Sequence, residues 1–114
     1  MSELEDLQTR YREFCQERDW EQFHDPRSLV LALVGEVGEL AELFQWSTDF
    51  SMDVQKTGYH VRVSEEMSDV FLYLIRLADV LQVDLEVAAS KKLDDAEERF
   101  PASEFRGRAP DKTQ

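Results

Sequence analysis

The sequence has 114 residues, 42% hydrophobic and 33% charged, with 13 basic side chains against 25 acidic ones and a net charge of −12. That is one domain's worth of chain, able to bury roughly two-thirds of the surface its unfolded form exposes, so neither whole-length disorder nor a need for disulfide staples is expected. So large an acid excess excludes nonspecific binding to nucleic acid or an anionic membrane surface, which calls for clustered Lys and Arg.

Four glycines and three prolines leave long uninterrupted stretches whose apolar period is helical, and the chain reads as all-α. Residues 1–6 are acidic where a signal peptide is basic, so the expectation is a soluble, cytoplasmic protein. Helix 1 is expected over residues 3–18, with Leu4, Leu7, Tyr11 and Phe14 on one stripe. The single cysteine, Cys15, excludes an intrachain disulfide and a Cys-rich metal or redox motif; beside Phe14 it reads as a small core residue. His24 falls in the connection that follows and reads as a turn or surface histidine. Asp25 before Pro26 is an N-cap with proline at the first helical position, and helix 2 is expected from there to residue 45. Residues 46–52 break it. Helix 3 is expected over residues 53–81, its first turns weakened at Gly58, and Asp84 caps helix 4, which ends at residue 100 before Pro101. Residues 102–114 carry no apolar stripe and read as a flexible tail. The longest apolar runs, residues 29–34 and 70–75, are six residues long, far below the ~20 that span a bilayer.

Two acid pairs occupy unusual positions on helices 2 and 3. At 100° per residue, Leu29, Ala32, Leu33, Leu40 and Leu43 all fall within about 60° of Glu36, and Glu39 borders the same face. On helix 3, Val63, Val70, Tyr73 and Leu77 surround Glu66 in the same way, with Asp69 at the border. A run of acids ordinarily marks a solvated face, but these sit on the inward faces of two helices expected to pack together. Ionised carboxylates there are costly unless paired or metal-bound. Four converging carboxylates with no intervening Lys or Arg require a cation or raised pKa values, and oxygen-only ligation favours Mg²⁺ or Mn²⁺ over zinc or copper.

A di-iron bundle needs Glu-x-x-His on two helices, whereas the one such spacing, Glu21 to His24, precedes Pro26, and His60 has Thr57 three residues upstream. No phosphate-binding glycine loop, dinucleotide fingerprint or serine nucleophile elbow is present. A hard-metal acid cluster without a covalent nucleophile points to phosphoryl or pyrophosphoryl hydrolysis, a carboxylate positioning water. Phe71, at helical spacing on the same helix, reads as core.

Glu36-x-x-Glu39, 26 further residues, then Glu66-x-x-Asp69 resembles the metal signature of the MazG-like all-α nucleotide pyrophosphohydrolases. Residues 17–24, 31–46 and 65–74 strengthen the likeness, which lies with the dCTP pyrophosphatase branch and spans residues 3–101. The resemblance implies a four-helix MazG-like bundle over residues 1–101 and Mg²⁺ ligation by Glu36, Glu39, Glu66 and Asp69. It also implies nucleotide contacts from Tyr11, Trp20, Trp46 and Tyr73, and phosphate contacts from Lys92 and Arg99. Tyr11 stands where dCTP-cleaving relatives carry histidine, and Ala96 where an asparagine is frequent. The implied reaction cleaves a (deoxy)nucleoside triphosphate, dCTP or a modified dCTP foremost, to monophosphate and pyrophosphate. Its role would be nucleotide-pool sanitation, or house-cleaning.

Val30, Val34, Val37 and Ala41 lie on helix 2 opposite the acids, presenting more apolar surface than one small bundle covers, so a homodimer or homotetramer is expected. The resemblance favours a tetramer built from dimers. A competing reading from another class is a noncatalytic acidic helical interaction module whose acids mark a partner-binding face. Lys92 and Trp46, taken without the resemblance, read as a solvated helix residue and a cover for the bundle's edge.

Overall fold

The computed structural model describes residues 2–45 and 57–110. Its helices are α1 (Glu3–Glu17), α2 (Pro26–Glu42), α3 (Thr57–Val80), α4 (Leu85–Arg99) and α5 (Ala102–Phe105), with a 3-10 turn at Glu21–Phe23. The all-α reading holds, but the described helices number five, not four. They fall into two compact units, Met1–Val83 and Asp84–Gln114. No described helix is long and apolar enough to cross a membrane.

Within the first unit α3 is the central element, with α2 packed along it and α1 packed against it as well. Ser2 caps α1 and Asp25 caps α2, each side chain accepting the backbone N–H three residues on. The end of α1 is set by Asp19, at φ 55, from which the N–H of Trp20 reaches back to the carbonyl of Cys15 at 2.9 Å and that of Asp19 to Gln16 at 3.1 Å. This left-handed closure satisfies two carbonyls that the helix leaves open and fixes the direction in which the chain leaves toward the 3-10 turn. The helix α2 ends at Glu42, three residues before the expected end. Leu43 and Phe44 bond back three residues, to Leu40 and Ala41, tightening the last turn so that it stops being α-helical. The expected helix break at residues 46–52 and the expected helix start at residue 53 lie outside the described residues.

The most deeply buried side chains are Cys15, Leu29 and Ile75, one from each of the three helices. Cys15 is thus the core residue its neighbours imply. Phe71 corrects the reading that placed it in the core, because it is 41% exposed, in an open groove that it lines with Leu7 of α1 and Met67 of α3. Phe14, on the apolar stripe of α1, is also exposed.

In the second unit Asp84 caps α4 through the N–H of Val87, and Pro101 follows its last turn. The segment read only as a tail begins with a helical turn, α5. Phe105 packs edge-to-face on Phe100 with ring centres 5.1 Å apart, and this contact between rings is what the polar composition of residues 102–114 conceals.

Candidate functional site

Glu36 and Glu39 stand three residues apart on α2 and so project from one side of it, toward the helix that carries Glu66. One carboxylate oxygen from each of the three lies within 4.8 Å of the others. Glu36 and Glu66 are half-buried and Glu39 is exposed. The Oε2 atoms of Glu36 and Glu66 are buried without a hydrogen-bond partner. An ionised oxygen left so costs its full desolvation penalty, which a native site offsets with a counter-charge or a proton.

The surroundings press in the same direction. Burial pushes the Glu36 carboxyl above the usual carboxylate range, and hydrogen bonding to Glu39 together with the charges of Glu39, Asp69 and Glu66 adds to it. Burial likewise raises Glu66, with Glu39, Asp69 and Glu65 contributing. Asp69, read from sequence as the fourth member, is exposed one turn beyond Glu66. Its charge acts on both buried carboxyls, but its oxygens stand outside the 4.8 Å set. A donor set made only of carboxylate oxygens, two of them orphaned and buried, fits a hard divalent cation.

Beside the acids lies an aromatic row. Tyr11 meets Phe14 edge-on with ring centres 6.1 Å apart, and Phe14 meets Trp20 at 5.6 Å. Arg18 stacks over Phe14, its guanidinium carbon 3.8 Å from the ring centre. The Tyr11 end of this row reaches the acid-bearing helix. Burial raises the Tyr11 hydroxyl, Cys15, Tyr73 and Asp69 push it further up, and Arg76 opposes them. Tyr11, Tyr73 and Asp69 therefore share one neighbourhood, and Trp20 is joined to it through Phe14. Trp46 lies outside the described residues. Lys92 and Arg99 belong to α4 in the second unit, both exposed, with the Arg99 guanidinium over Phe100 at 5.1 Å.

Sequence reasoning passed over three residues that the structure ties to this row. Arg76 is buried on α3, and it pairs with Asp79, which in turn pairs with Arg12 of α1. His24 corrects the reading of a turn or surface histidine in part. It does follow the 3-10 turn, but it is half-buried and its Nδ1 accepts a hydrogen bond from Arg76 Nε at 3.1 Å. The sequence signal for Arg76 and Asp79 is weak, a charged i,i+3 pair among the apolar residues between Val70 and Val83.

Residues 24–103 match the MazG nucleotide pyrophosphohydrolase domain. The chain is 54% identical over 101 residues to dCTP pyrophosphatase 1 of Homo sapiens, covering 87% of this chain and 59% of that protein. It is 51% identical over 108 residues to dCTP pyrophosphatase 1 of Mus musculus, covering 93% and 64%. The chain thus spans about three-fifths of the length of the curated relatives it matches. A crystal structure of a pyrophosphatase from Archaeoglobus fulgidus superposes with a TM-score of 0.81 at 31% identity, over 89% of this chain and 94% of that one.

Proposed function

The chain belongs to the MazG nucleotide pyrophosphohydrolase family, and from that premise we propose that it is a Mg²⁺-dependent enzyme cleaving (deoxy)nucleoside triphosphates to monophosphate and pyrophosphate. The observation that carries this reading is the pair of buried, unpartnered Oε2 atoms on Glu36 of α2 and Glu66 of α3, two carboxyl groups that each bring an oxygen within 4.8 Å of the other and of Glu39. Glu36, Glu39, Glu66 and Asp69 would hold Mg²⁺, which when bound would neutralise the triphosphate against the −12 charge of the chain. A carboxylate of the cluster orients the attacking water and takes its proton, the water oxygen joins the α phosphorus, and the bond to the bridging α–β oxygen breaks with its electron pair leaving on that oxygen. Pyrophosphate leaves.

Tyr11, Trp20, Trp46 and Tyr73 are assigned to the nucleoside, and Lys92 and Arg99 to the phosphates. The names of the relatives at 54% and 51% identity support dCTP, or a 5-modified dCTP, as the preferred substrate. The same reading takes residues 1–101 as the catalytic domain, places the protein in the cytoplasm as a guard of the nucleotide pool, and has it work as a homodimer or homotetramer. Mn²⁺ has the same oxygen preference and should substitute.

The deciding experiment measures pyrophosphate release from the four dNTPs with and without Mg²⁺. Metal-dependent release, fastest for dCTP, is expected. No release from any of them, with the protein folded and metal present, would leave a noncatalytic interaction module as the reading.

A further inference from the structure

Arg76 is 5% exposed, on a stretch of α3 where its neighbours Ile75 and Ala78 are at 1% and 5%. A guanidinium in such a place persists only when its donors are paired. Here every nitrogen is engaged. Nε donates to His24 Nδ1 at 3.1 Å, Nη1 donates to Asp79 Oδ2 at 3.1 Å, and Nη2 lies 3.6 Å from Glu21 Oε1.

The partners come from two different segments. Glu21 and His24 belong to the turn that directly follows Trp20, and Asp79 is gripped from α1 by Arg12, the residue after Tyr11. One buried cation on the acid-bearing helix therefore tethers both segments that present the aromatic row. The left-handed closure at Asp19 sends the chain from α1 into this turn, and the Arg76 bonds hold the turn against α3.

Resting on the pyrophosphohydrolase reading of the site, we propose that Arg76 is a positioning residue: through His24 and Glu21 it sets where Trp20 stands, and through Asp79 and Arg12 where α1 holds Tyr11, so that both rings meet the nucleoside of a bound triphosphate. The bond from Arg76 Nε needs a lone pair on His24 Nδ1, so the imidazole is neutral with its proton on Nε2. Protonation of Nδ1 removes that acceptor and sets two cations face to face, which releases the turn. The charged groups around this contact are Glu21 on the same segment as His24, Arg76 and Asp79 from α3, and Arg12 from α1; Cys15 and Tyr11 of α1 also face Arg76.

Two measurements on the full chain test the assignment. In steady-state hydrolysis at saturating Mg²⁺, Arg76→Lys and His24→Leu should raise KM for the nucleotide about tenfold with kcat held within about threefold. His24→Gln, whose amide oxygen accepts the same bond, should restore the wild-type KM. The second readout is the emission of Trp20 without nucleotide, in a Trp46→Phe background that leaves it the single tryptophan. It should shift to the red and become more open to acrylamide in Arg76→Lys and His24→Leu, and also on acidification from about pH 8 to about pH 5 when His24 is present but not in His24→Gln.

Folded Arg76→Lys and His24→Leu proteins with unmoved KM and unmoved Trp20 emission overturn the proposal, as does a loss of kcat with KM unchanged. Should Arg76→Lys fail to fold, His24→Leu, which keeps the Arg76–Asp79 pair, decides. A wild type that releases no pyrophosphate overturns the hydrolase reading instead, and the emission of Trp20 then decides the positioning by itself.

Discussion

Arg12 and Asp79 are joined by two parallel hydrogen bonds, Nε to Oδ2 at 2.8 Å and Nη2 to Oδ1 at 2.6 Å, which fasten α1 to α3. The two partners are not equally placed, because the Asp79 side chain is 13% exposed and that of Arg12 40%. Asp79 also pairs with Arg76, so its removal leaves Nη1 of a buried guanidinium without an acceptor and only the exposed Glu21 as counter-charge, whereas loss of Arg12 leaves Asp79 one partner and some water. Asp79→Ala is therefore expected to cost about 3–5 kcal/mol and Arg12→Ala about 1 kcal/mol. Urea denaturation of both variants checks this, and equal losses would mean that pairing with Arg76 is not what Asp79 provides.

A pH dependence follows from His24. Burial first, and the charge of Arg76 second, hold its imidazole below the ordinary value of 6.5, with Glu21 opposing. Between the folded and unfolded values the unfolded chain binds a proton that the folded chain refuses, so stability rises with pH there. The contribution is complete above 6.5 and is lost as the pH falls toward the folded value. The urea midpoint should drop between about pH 7 and about pH 5.5 in wild type and drop less in His24→Gln. Parallel curves would assign the loss to other groups.

The acids should behave as a strained set when no metal is bound. In Glu66→Gln an amide replaces a carboxylate whose Oε2 is buried without a partner, so the melting temperature without metal is expected to hold or rise while hydrolysis is abolished. Glu39→Gln should abolish hydrolysis as well. Mg²⁺ at ten times its Kd should stabilise wild type by about 1.4 kcal/mol, and that increment should shrink in both variants. Full activity of either variant at saturating Mg²⁺ would remove the cluster from the chemistry.

Much of this arrangement is legible in the chain itself. Helical period, the Asp25–Pro26 start and the Asp84 cap give the elements of both units. Glu36 and Glu66 are conspicuous because a charge at the centre of an apolar stripe contradicts its own surroundings. The ends of α1 and α3 fall one residue short of the expected 18 and 81, although both helices close on left-handed residues that are not glycine, Asp19 at φ 55 and Gln82 at φ 56. Without glycine the usual stop signal is missing, although Val83 N–H still reaches the Ala78 carbonyl at 2.8 Å. Arg76 and Asp79, by contrast, escape notice. A charged i,i+3 pair reads as solvated until α1 is known to cover that side of α3, which is visible only when Gln8 is found donating to the Ile75 carbonyl and Arg12 to Asp79. Phe71 errs the other way, since it lines an open groove rather than the core.

The aromatic residues and the acids should fail differently. A ring stacked on a base contributes about 1–3 kcal/mol, so Trp20→Ala, Trp46→Ala and Tyr73→Ala should each raise KM about ten- to a hundredfold with kcat less affected. Sites that hydrogen-bond a base discriminate far better than sites that only stack it, so Ala96→Asn, which supplies an amide able to hydrogen-bond a base, should sharpen the preference for cytosine. Values of kcat/KM for the four dNTPs and 5-methyl-dCTP decide the matter. Equal values for every base in wild type would sink the cytosine assignment, and an unchanged KM in Trp46→Ala would take that residue out of the pocket.

The exposed side of α2 predicts self-association. Val30, Leu31, Val34 and Val37 are 43%, 62%, 63% and 47% exposed, on the side of the helix away from Glu36 and Glu39. Apolar side chains scattered singly over a surface need no explanation, but four on one side of one helix form the kind of surface that a partner covers. A second copy is the simplest partner, and the chain's charge of −12 means that it must bury enough apolar area to outweigh mutual repulsion. Association should therefore strengthen with salt, which screens that repulsion. Light scattering should give a multiple of 13.3 kDa for wild type. Val34→Glu, which sets like charges against each other across such a contact, should return the mass toward 13.3 kDa while leaving the helical circular dichroism in place. A wild type that scatters as a single chain at micromolar concentration would contradict the assignment.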